Sequence, residues 1–559
     1  MTTIAAVGPM RRLRFLDVAR ALAVMAMLVA NLANVLPAER PRWLGHNLGD
    51  ELLPLDLPAP TFQFLIGVSL VLYLERHGRE RGMLQARGRA ARRFVLLVLL
   101  GALLDGIAAQ RFEFRWGVLQ TLGVGGLVAA ALADLPDPLI LAVAAGIAAA
   151  LATAPRLLAQ CSLEPTLPDA ALYARDEDAY WREVRKQFLI PADEIYLNNG
   201  TVGSSPAPVI QAVMDGYHAT ETMAQSDPED YPIWGYGPFN EFRDPLAAFV
   251  GATRDEIALL RNATEANNFM IHGFDMKPGD EVLISNQEHP SGEEPWQLKA
   301  KRYGVVVRKF EIPRPLISPA DVLNRINDAI SPRTRAIFIS HITTDTGVVL
   351  PIKEICALAR SKGLVSMVDG AHVTGMMQLN IRELGCDMYS SSPHKWLMAP
   401  KGSGFLYVRE EMQDRLWSTV TTAGWDDPKL KAERFQRIGS SNVPSLWGFR
   451  AALDFANKIG MDRIERRHRA LADYAMAGMS RRGVESWTSP DPALRCAIAT
   501  FNIAPIQIYE LENALWKQYR IRIRGGGPSK IRLSTPYYLQ KAEIDRFLEK
   551  FDEYKRKKG

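Results

Sequence analysis

Cysteine is scarce. Only Cys161, Cys356, Cys386 and Cys496 occur in 559 residues, and they are scattered. So few and so dispersed, they exclude a disulfide framework and a cysteine-built metal cage, and read as buried thiols; no metal site is expected. An aromatic-basic pattern of the kind that binds nucleic acid is also missing, so no nucleic-acid partner is expected. Long apolar runs are missing from everything beyond about residue 156, yet five of them crowd the chain before that point. The net charge of +5 owes much to arginines set between those runs. That placement marks a membrane surface.

The apolar runs cover residues 15–36, 60–74, 94–109, 117–133 and 139–154. Several fall short of the roughly 20 residues of a perpendicular span, and flanking residues extend them. Five in succession with arginine-rich joints predict about five transmembrane helices, a cleaved signal explaining at most the first. Three arginines at the N-terminus and seven between residues 75 and 93 should face the cytoplasm. Five spans then put the remainder on the periplasmic side of a bacterial inner membrane, and four return it to the cytoplasm. Asp17 and Arg20 lie about one helical turn apart in the first run, where they would pair or mark a polar path. The stretches Arg14-Phe15-Leu16-Asp17-Val18-Ala19-Arg20, Phe64-Leu65-Ile66-Gly67-Val68-Ser69-Leu70 and Gly117-Val118-Leu119-Gln120 resemble the heparan-α-glucosaminide N-acetyltransferase-like membrane proteins. That family has about twice as many helices, so only its first part is represented. His46 falls where the family has an acetyl-accepting histidine, but its surroundings favour an ordinary loop histidine. This half is expected to act as an anchor.

Residues 157–178, rich in Pro, Asp and Ala, read as a linker. Beyond it strand-like and helix-like segments alternate: strands at 281–285, 304–310, 336–340 and 364–369, an amphipathic helix at 352–361, and a strand at 405–408. Alternation of this kind predicts a mostly parallel sheet with helices on both faces and ligands beyond the carboxyl ends of its strands. The expected division is a transmembrane domain over 1–156, a large α/β domain over 179–445 and a smaller α+β domain over 446–559.

The soluble half is organised around Ser390-Ser391-Ser392-Pro393-His394-Lys395-Trp396, followed by Pro400-Lys401-Gly402-Ser403-Gly404. A lysine in a small-residue turn is shielded from water, which lowers its pKa and makes the amine a nucleophile. The chemistry served by such an amine is Schiff-base formation, above all with pyridoxal phosphate. Asp369 closes a buried strand, where it salt-bridges a protonated pyridine nitrogen or caps the strand end. Thr264 suits the N-cap of a helix running to Phe274, an ordinary cap or a phosphate site. His289 either stacks on a flat ring or is a loop histidine. Arg437-Ile438-Gly439-Ser440-Ser441-Asn442 is a turn able to donate to phosphate. Arg532 suits a bidentate carboxylate or a surface ion pair.

Together with Tyr196-Leu197-Asn198-Asn199-Gly200 and His341-Ile342-Thr343, these segments resemble the class V aminotransferase family of pyridoxal phosphate enzymes, within fold type I, over nearly all of residues 176–559. The isopenicillin N epimerase-like branch is the nearest, with cysteine desulfurases more distant. The resemblance implies that Lys395 binds the cofactor aldehyde and shuttles the α-proton, Asp369 holds the pyridine nitrogen, His289 stacks on the ring and His372 lies near the phenolate oxygen. It implies that Thr264, the backbone of Glu265, and His394 contact the phosphate. Ser440 or Ser441 would reach it from the other subunit of a homodimer. Arg532 would bind the substrate carboxylate, with Asn199 and Gly200 at the mouth. Two departures stand out. Thr344 replaces a frequent Asn at a cofactor-contacting position, beside Asp345. The loop Arg522-Ile523-Arg524-Gly525-Gly526-Gly527-Pro528 lacks the cysteine of the desulfurases, which disfavours persulfide chemistry. The expectation is a membrane-anchored enzyme acting on an amino acid or derivative as an epimerase, a C–S or β-elimination lyase or an aminotransferase. The alternative is an acyltransferase-like or transport protein whose soluble domain is not catalytic.

Overall fold

The computed structural model describes residues 167–223 and 239–558, with Arg92 and Val95 besides. The chain divides into two compact units, Met1–Ser162 and Leu163–Gly559. The expected transmembrane runs, Asp17, Arg20 and His46 lie outside the described residues. Among the described residues no helix is long and apolar enough to cross a membrane.

The second unit begins with helices where the composition reads as linker. Asp169 accepts from the Ala171 N–H and starts the helix Ala170–Arg175, and Asp176 accepts from the Ala179 N–H and starts Glu177–Arg185. The acidic residues that suggested a solvated connector are N-caps, and Tyr180, Trp181 and Val184 then bury one face of the second helix.

Among the described residues thirteen strands follow, numbered in chain order: β1 (Ile195–Tyr196), β2 (Ile257–Leu260), β3 (Glu281–Ser285), β4 (Val306–Phe310), β5 (Thr334–Ser340), β6 (Val365–Asp369), β7 (Met388–Ser391), β8 (Gly404–Val408), β9 (Glu485–Ser486), β10 (Ile498–Asn502), β11 (Ile521–Arg522), β12 (Arg524–Gly526) and β13 (Lys530–Ser534). Seven of them form one sheet in the order β2-β8-β7-β6-β5-β3-β4. β3 to β7 run parallel, while β8 is antiparallel to both its neighbours. Continuous apolar runs are what a parallel strand covered on both faces requires, and β3, β6 and β7 are buried throughout. The edge strand β4 carries exposed Arg308 and Lys309, which discourage further pairing. At the other edge the Gln436 side chain accepts from the Leu259 N–H.

Helix α1 (Ala263–Gly273) follows β2, α2 (Pro290–Tyr303) follows β3 and α3 (Ile352–Ser361) follows β5. A second sheet, antiparallel in the order β12-β13-β10-β9, forms the smaller C-terminal part and packs its own apolar core. β1 joins that part by pairing in parallel with β11, so a segment early in the chain belongs in space to its end.

Candidate active site

The parallel strands deliver their carboxyl ends to one edge of the large sheet. There a cavity of about 620 Å3 opens, walled by residues that include Lys395, Asp369, His289, His372, Thr264 and Arg532. The lysine lies in the turn that leaves β7, and segment 199–205 clamps it. Asn199 Nδ2 donates to the Lys395 carbonyl (3.0 Å), the Gly203 N–H donates to the His394 carbonyl (2.8 Å), and Ser205 Oγ donates to the Ala399 carbonyl (3.2 Å). A Cβ on Gly203 would lie 2.1 Å from the Lys395 carbonyl oxygen, so only glycine allows this approach. Gly375, at φ +84°, gives the same clearance to Leu397 on the other side. Enclosure by protein lowers the Lys395 amine to about 8; Asp369 draws it back up and Arg532 pushes it further down. About a tenth of the amine is then unprotonated at pH 7, far more than for an ordinary lysine.

At the Asp369 end the buried carboxylates and amide have partners. Asp369 accepts from Asn267 Nδ2 (2.8 Å) and from the Ala371 N–H (3.0 Å), and Asn267 Oδ1 accepts from Ser390 Oγ (2.6 Å). Among the described residues the carboxylate forms no ion pair, so neutral donors alone orient it. Behind it, Glu288 accepts from Ser285 and, at 2.6 Å, from Ser340. Burial pushes Glu288 up to about 7, against the lowering effect of the two serines. The histidines are held as neutral rings. His289 Nδ1 accepts from the Ser291 N–H (3.1 Å), capping α2, and burial lowers its pKa, Lys395 adding to the effect. His372 Nδ1 accepts from the buried Trp396 Nε1 (3.1 Å), and burial holds it well below the usual range.

The opposite wall suits an anion. The first turn of α1 opens onto the cavity through Asn262, Ala263 and Thr264, with Ser392, His394 and Lys401 beside it. The cap is Asn262, not Thr264: its backbone is extended and its side chain accepts from the Glu265 N–H (2.9 Å). That bond also corrects the expectation for Glu265. Its N–H is taken, its carboxylate pairs with Arg261 (2.6 Å), and it does not line the cavity. His394 donates from Nδ1 to the Ser403 carbonyl (2.8 Å).

Arg532 forms the third wall. It is 8% exposed, and burial with the charge of Arg524 lowers its pKa to about 10. Its guanidinium donates to Thr344 Oγ1 (2.8 Å), Thr201 Oγ1 (2.8 Å) and Asn198 Oδ1 (3.3 Å), while Nε has no partner. No described carboxylate pairs with it. Asp345, the nearby acid, is taken up by Lys530 and Arg314. Thr344 thus meets the arginine.

The cavity brings together Gly200, Thr264, His289, Thr344, Asp369, His372, His394, Lys395 and Arg532. Asn199 is fully buried beneath the Lys395 turn and does not reach the mouth. Ser440 and Ser441 line a neighbouring cavity of about 510 Å3, which shares Asn262, Lys401 and Gly402 with the first. Asn267, bonded to Asp369, and Lys401, on the cavity wall, join the site without having been expected there. The available signal for Asn267 was a polar residue between Ala266 and Phe269 on an otherwise apolar helical face.

These groups fit pyridoxal phosphate: an amine of lowered basicity, a strand-end carboxylate that forms no ion pair among the described residues, and a wall opposite it that suits an anion. A cavity of this composition at the carboxyl edge of a mostly parallel sheet is that of a fold type I pyridoxal phosphate enzyme. The aminotransferase class-V family model matches residues 195–547, and the chain belongs to that family. Isopenicillin N epimerase of Amycolatopsis lactamdurans is 31% identical over 396 residues, spanning 67% of this chain and 98% of the epimerase. A probable cysteine desulfurase of Methanothermobacter thermautotrophicus is 28% identical, spanning 64% and 88%. Among solved structures, the apo cysteine desulfurase of Thermococcus onnurineus NA1 shares the fold at TM-score 0.60 and 23% identity, covering 66% of this chain and 97% of that one. The model for the heparan-α-glucosaminide N-acetyltransferase catalytic domain matches residues 12–171. The chain is thus a pyridoxal phosphate-dependent enzyme acting on an amino acid or derivative, with a second family's signature at its N-terminus.

Proposed function

We propose that the enzyme moves a proton at the Cα of an amino acid whose α-carboxylate is held by Arg532, with epimerisation as the outcome. The observation that carries this reading is a buried guanidinium without an anion on the same cavity as a lysine amine of lowered basicity. When bound, pyridoxal phosphate supplies an aldehyde that condenses with amines and a ring that accepts the electron pair released at Cα. Lys395 is assigned to hold the cofactor and then to carry the α-proton. Asp369, oriented by Asn267, is assigned to keep a proton on the ring nitrogen. Thr264, Ser392, His394 and Lys401 are assigned to the phosphate. His289 and His372 bound the ring as neutral groups. Desulfurase chemistry is disfavoured because the segment 522–528 has no thiol. The described cysteines are buried, with Cys356 and Cys496 pushed up to about 12 and Cys386 well above its usual range.

The homodimer belongs to the same reading. Ser440 and Ser441 lie outside the Lys395 cavity of their own chain, and we assign them to the phosphate site of a second copy. The apolar runs before residue 156 are assigned to a bacterial inner-membrane anchor, with the catalytic unit periplasmic for five spans and cytoplasmic for four. The family match over residues 12–171 supports that assignment.

The first test is the visible absorption spectrum of the purified chain and of Lys395→Ala after addition of pyridoxal phosphate. A yellow band in the wild type that is lost or shifted in the variant is expected. A wild type that takes up no cofactor overturns the reading. Incubation of amino acids in heavy water then separates outcomes: deuterium at Cα with inverted stereochemistry is expected, whereas accumulation of a keto acid or of an eliminated group would replace epimerisation by the corresponding reaction.

A further inference from the structure

β12 and β13 form an antiparallel pair in which Arg524 stands directly opposite Arg532. Residues opposite each other in such a pair share a face, and like charges placed so repel. Both arginines line the Lys395 cavity. The charge of Arg524 depresses the basicity of Arg532. No compensating acid is supplied. Among the described residues neither arginine forms an ion pair, and Arg532 Nε has no partner at all. Asp345 is engaged by both Lys530 and Arg314. Glu512 is committed to the backbone, accepting from the Gly525 N–H at 2.6 Å.

The anion-binding groups therefore fall into three sets: the first turn of α1 with Lys401, then Arg532, then Arg524. The cofactor phosphate satisfies the first and the substrate α-carboxylate the second. A monocarboxylic amino acid leaves the third, which is exposed at the rim, answered only by solvent. We infer that the substrate is an amino acid with a second carboxylate, taken by Arg524 at the cavity rim. This rests on the function proposed above and narrows its substrate class. A planar guanidinium fork matches a carboxylate in two parallel hydrogen bonds, so Arg524 is a specificity determinant for the distal acid.

The experiment titrates the full chain carrying pyridoxal phosphate with L-aspartate, L-glutamate and L-2-aminoadipate, each against its side-chain amide, and follows the cofactor absorption. Calorimetry of succinate, glutarate and adipate against their half-amides, on the protein without added cofactor, gives a second readout independent of turnover. At least one acid should bind about 10-fold or more tightly than its amide, as one charge-assisted pair provides. In Arg524→Gln that ratio should fall to about one, and Arg524→Lys should recover part of it. Equal affinities for every acid and its amide in the wild type overturn the inference, as does a preference that survives in Arg524→Gln. Tighter binding of O-phospho-L-serine than of any dicarboxylate overturns the choice of carboxylate. If amides and acids alike perturb the spectrum, the proposed function stands and only this inference fails. If no amino acid perturbs it, both fail. Should Arg524→Gln not fold, the same ratios are read in Arg524→Met, which keeps the length of the side chain without its charge.

Discussion

The two ends of the cavity are built on opposite principles. At the Asp369 end each buried polar atom is matched: Asn267 bridges Asp369 and Ser390, and Glu288 takes up Ser285 and Ser340. At the Arg532 end Arg532 Nε and Ser534 Oγ have no partners, and two arginines face each other across a strand pair. Buried polar groups are normally satisfied, and Arg532 Nε, on a side chain that lines the cavity, is an exception that a ligand can complete. The matched end is a frame that holds its geometry with or without ligand, while the unmatched end is finished only by substrate. Substitutions should therefore separate: changes at the frame lower stability, and changes at the open end lower turnover without lowering stability.

Lys395 belongs to neither end, and its loss should be the largest effect. Lys395→Ala is expected to lower turnover on the order of 1000-fold or more, since a positioned proton carrier alone contributes 100- to 10,000-fold. Single-turnover kinetics with a reactive amino acid checks this. A smaller loss would transfer the proton to another group and remove the lysine from the centre of the mechanism.

Arg532→Gln should follow, with kcat/KM down roughly 100-fold through loss of charge-assisted bonds to the carboxylate. Thermal unfolding of the same variant sharpens the comparison. Removing a buried cation that has no anion should leave Tm unchanged or raise it. A fall in Tm comparable to that of a frame variant would erase the distinction between the two ends.

The frame also has a pH signature. The pKa of Glu288 rises from an unfolded value of 4.5 to about 7 in the folded chain. Between those values the native state binds the extra proton, so stability is highest below the lower value and falls as pH rises through the upper one. The loss by pH 8 is on the order of 3 kcal/mol. Glu288→Gln keeps the shape without the titration. Denaturant unfolding from pH 4 to 8 should show this slope in the wild type and lose it in the variant. An unchanged difference between the two proteins at all pH values would refute the assignment.

Much of this frame was legible beforehand, because its signals are local. Apolar runs ended by small polar residues gave β3, β6 and the turn to Lys395, and the 3.6-residue period gave α3 with the observed bounds. What escaped depends on atoms brought together across the sequence. Asn262 rather than Thr264 caps α1 because the backbone of residue 262 is extended and its carboxamide reaches the Glu265 N–H, which removes that N–H from the cavity. Asn199 adjoins Gly200 at the mouth in sequence, yet its side chain turns inward to Lys395 across 196 residues. The pairing of Arg524 with Arg532 is a matter of strand register, which alternation alone does not fix.

Asn267 offers the smallest effect and the most direct test of the frame. Its carboxamide spans two buried partners, donating to Asp369 Oδ2 and accepting from Ser390 Oγ, and the residue is fully buried. Asn267→Ala leaves a carboxylate oxygen and a hydroxyl short of a bond, at a cost of about 1–3 kcal/mol. Asn267→Asp preserves volume and the acceptor for Ser390 but sets a second carboxylate against Asp369, so it should destabilise at high pH and recover on acidification. The alanine variant should recover on neither side. Measured together by denaturant unfolding, the two distinguish a hydrogen-bonded frame from a well-filled space. If both lose stability equally at every pH, packing rather than bonding holds Asp369, and the contrast between the two ends of the cavity no longer rests on hydrogen-bond satisfaction.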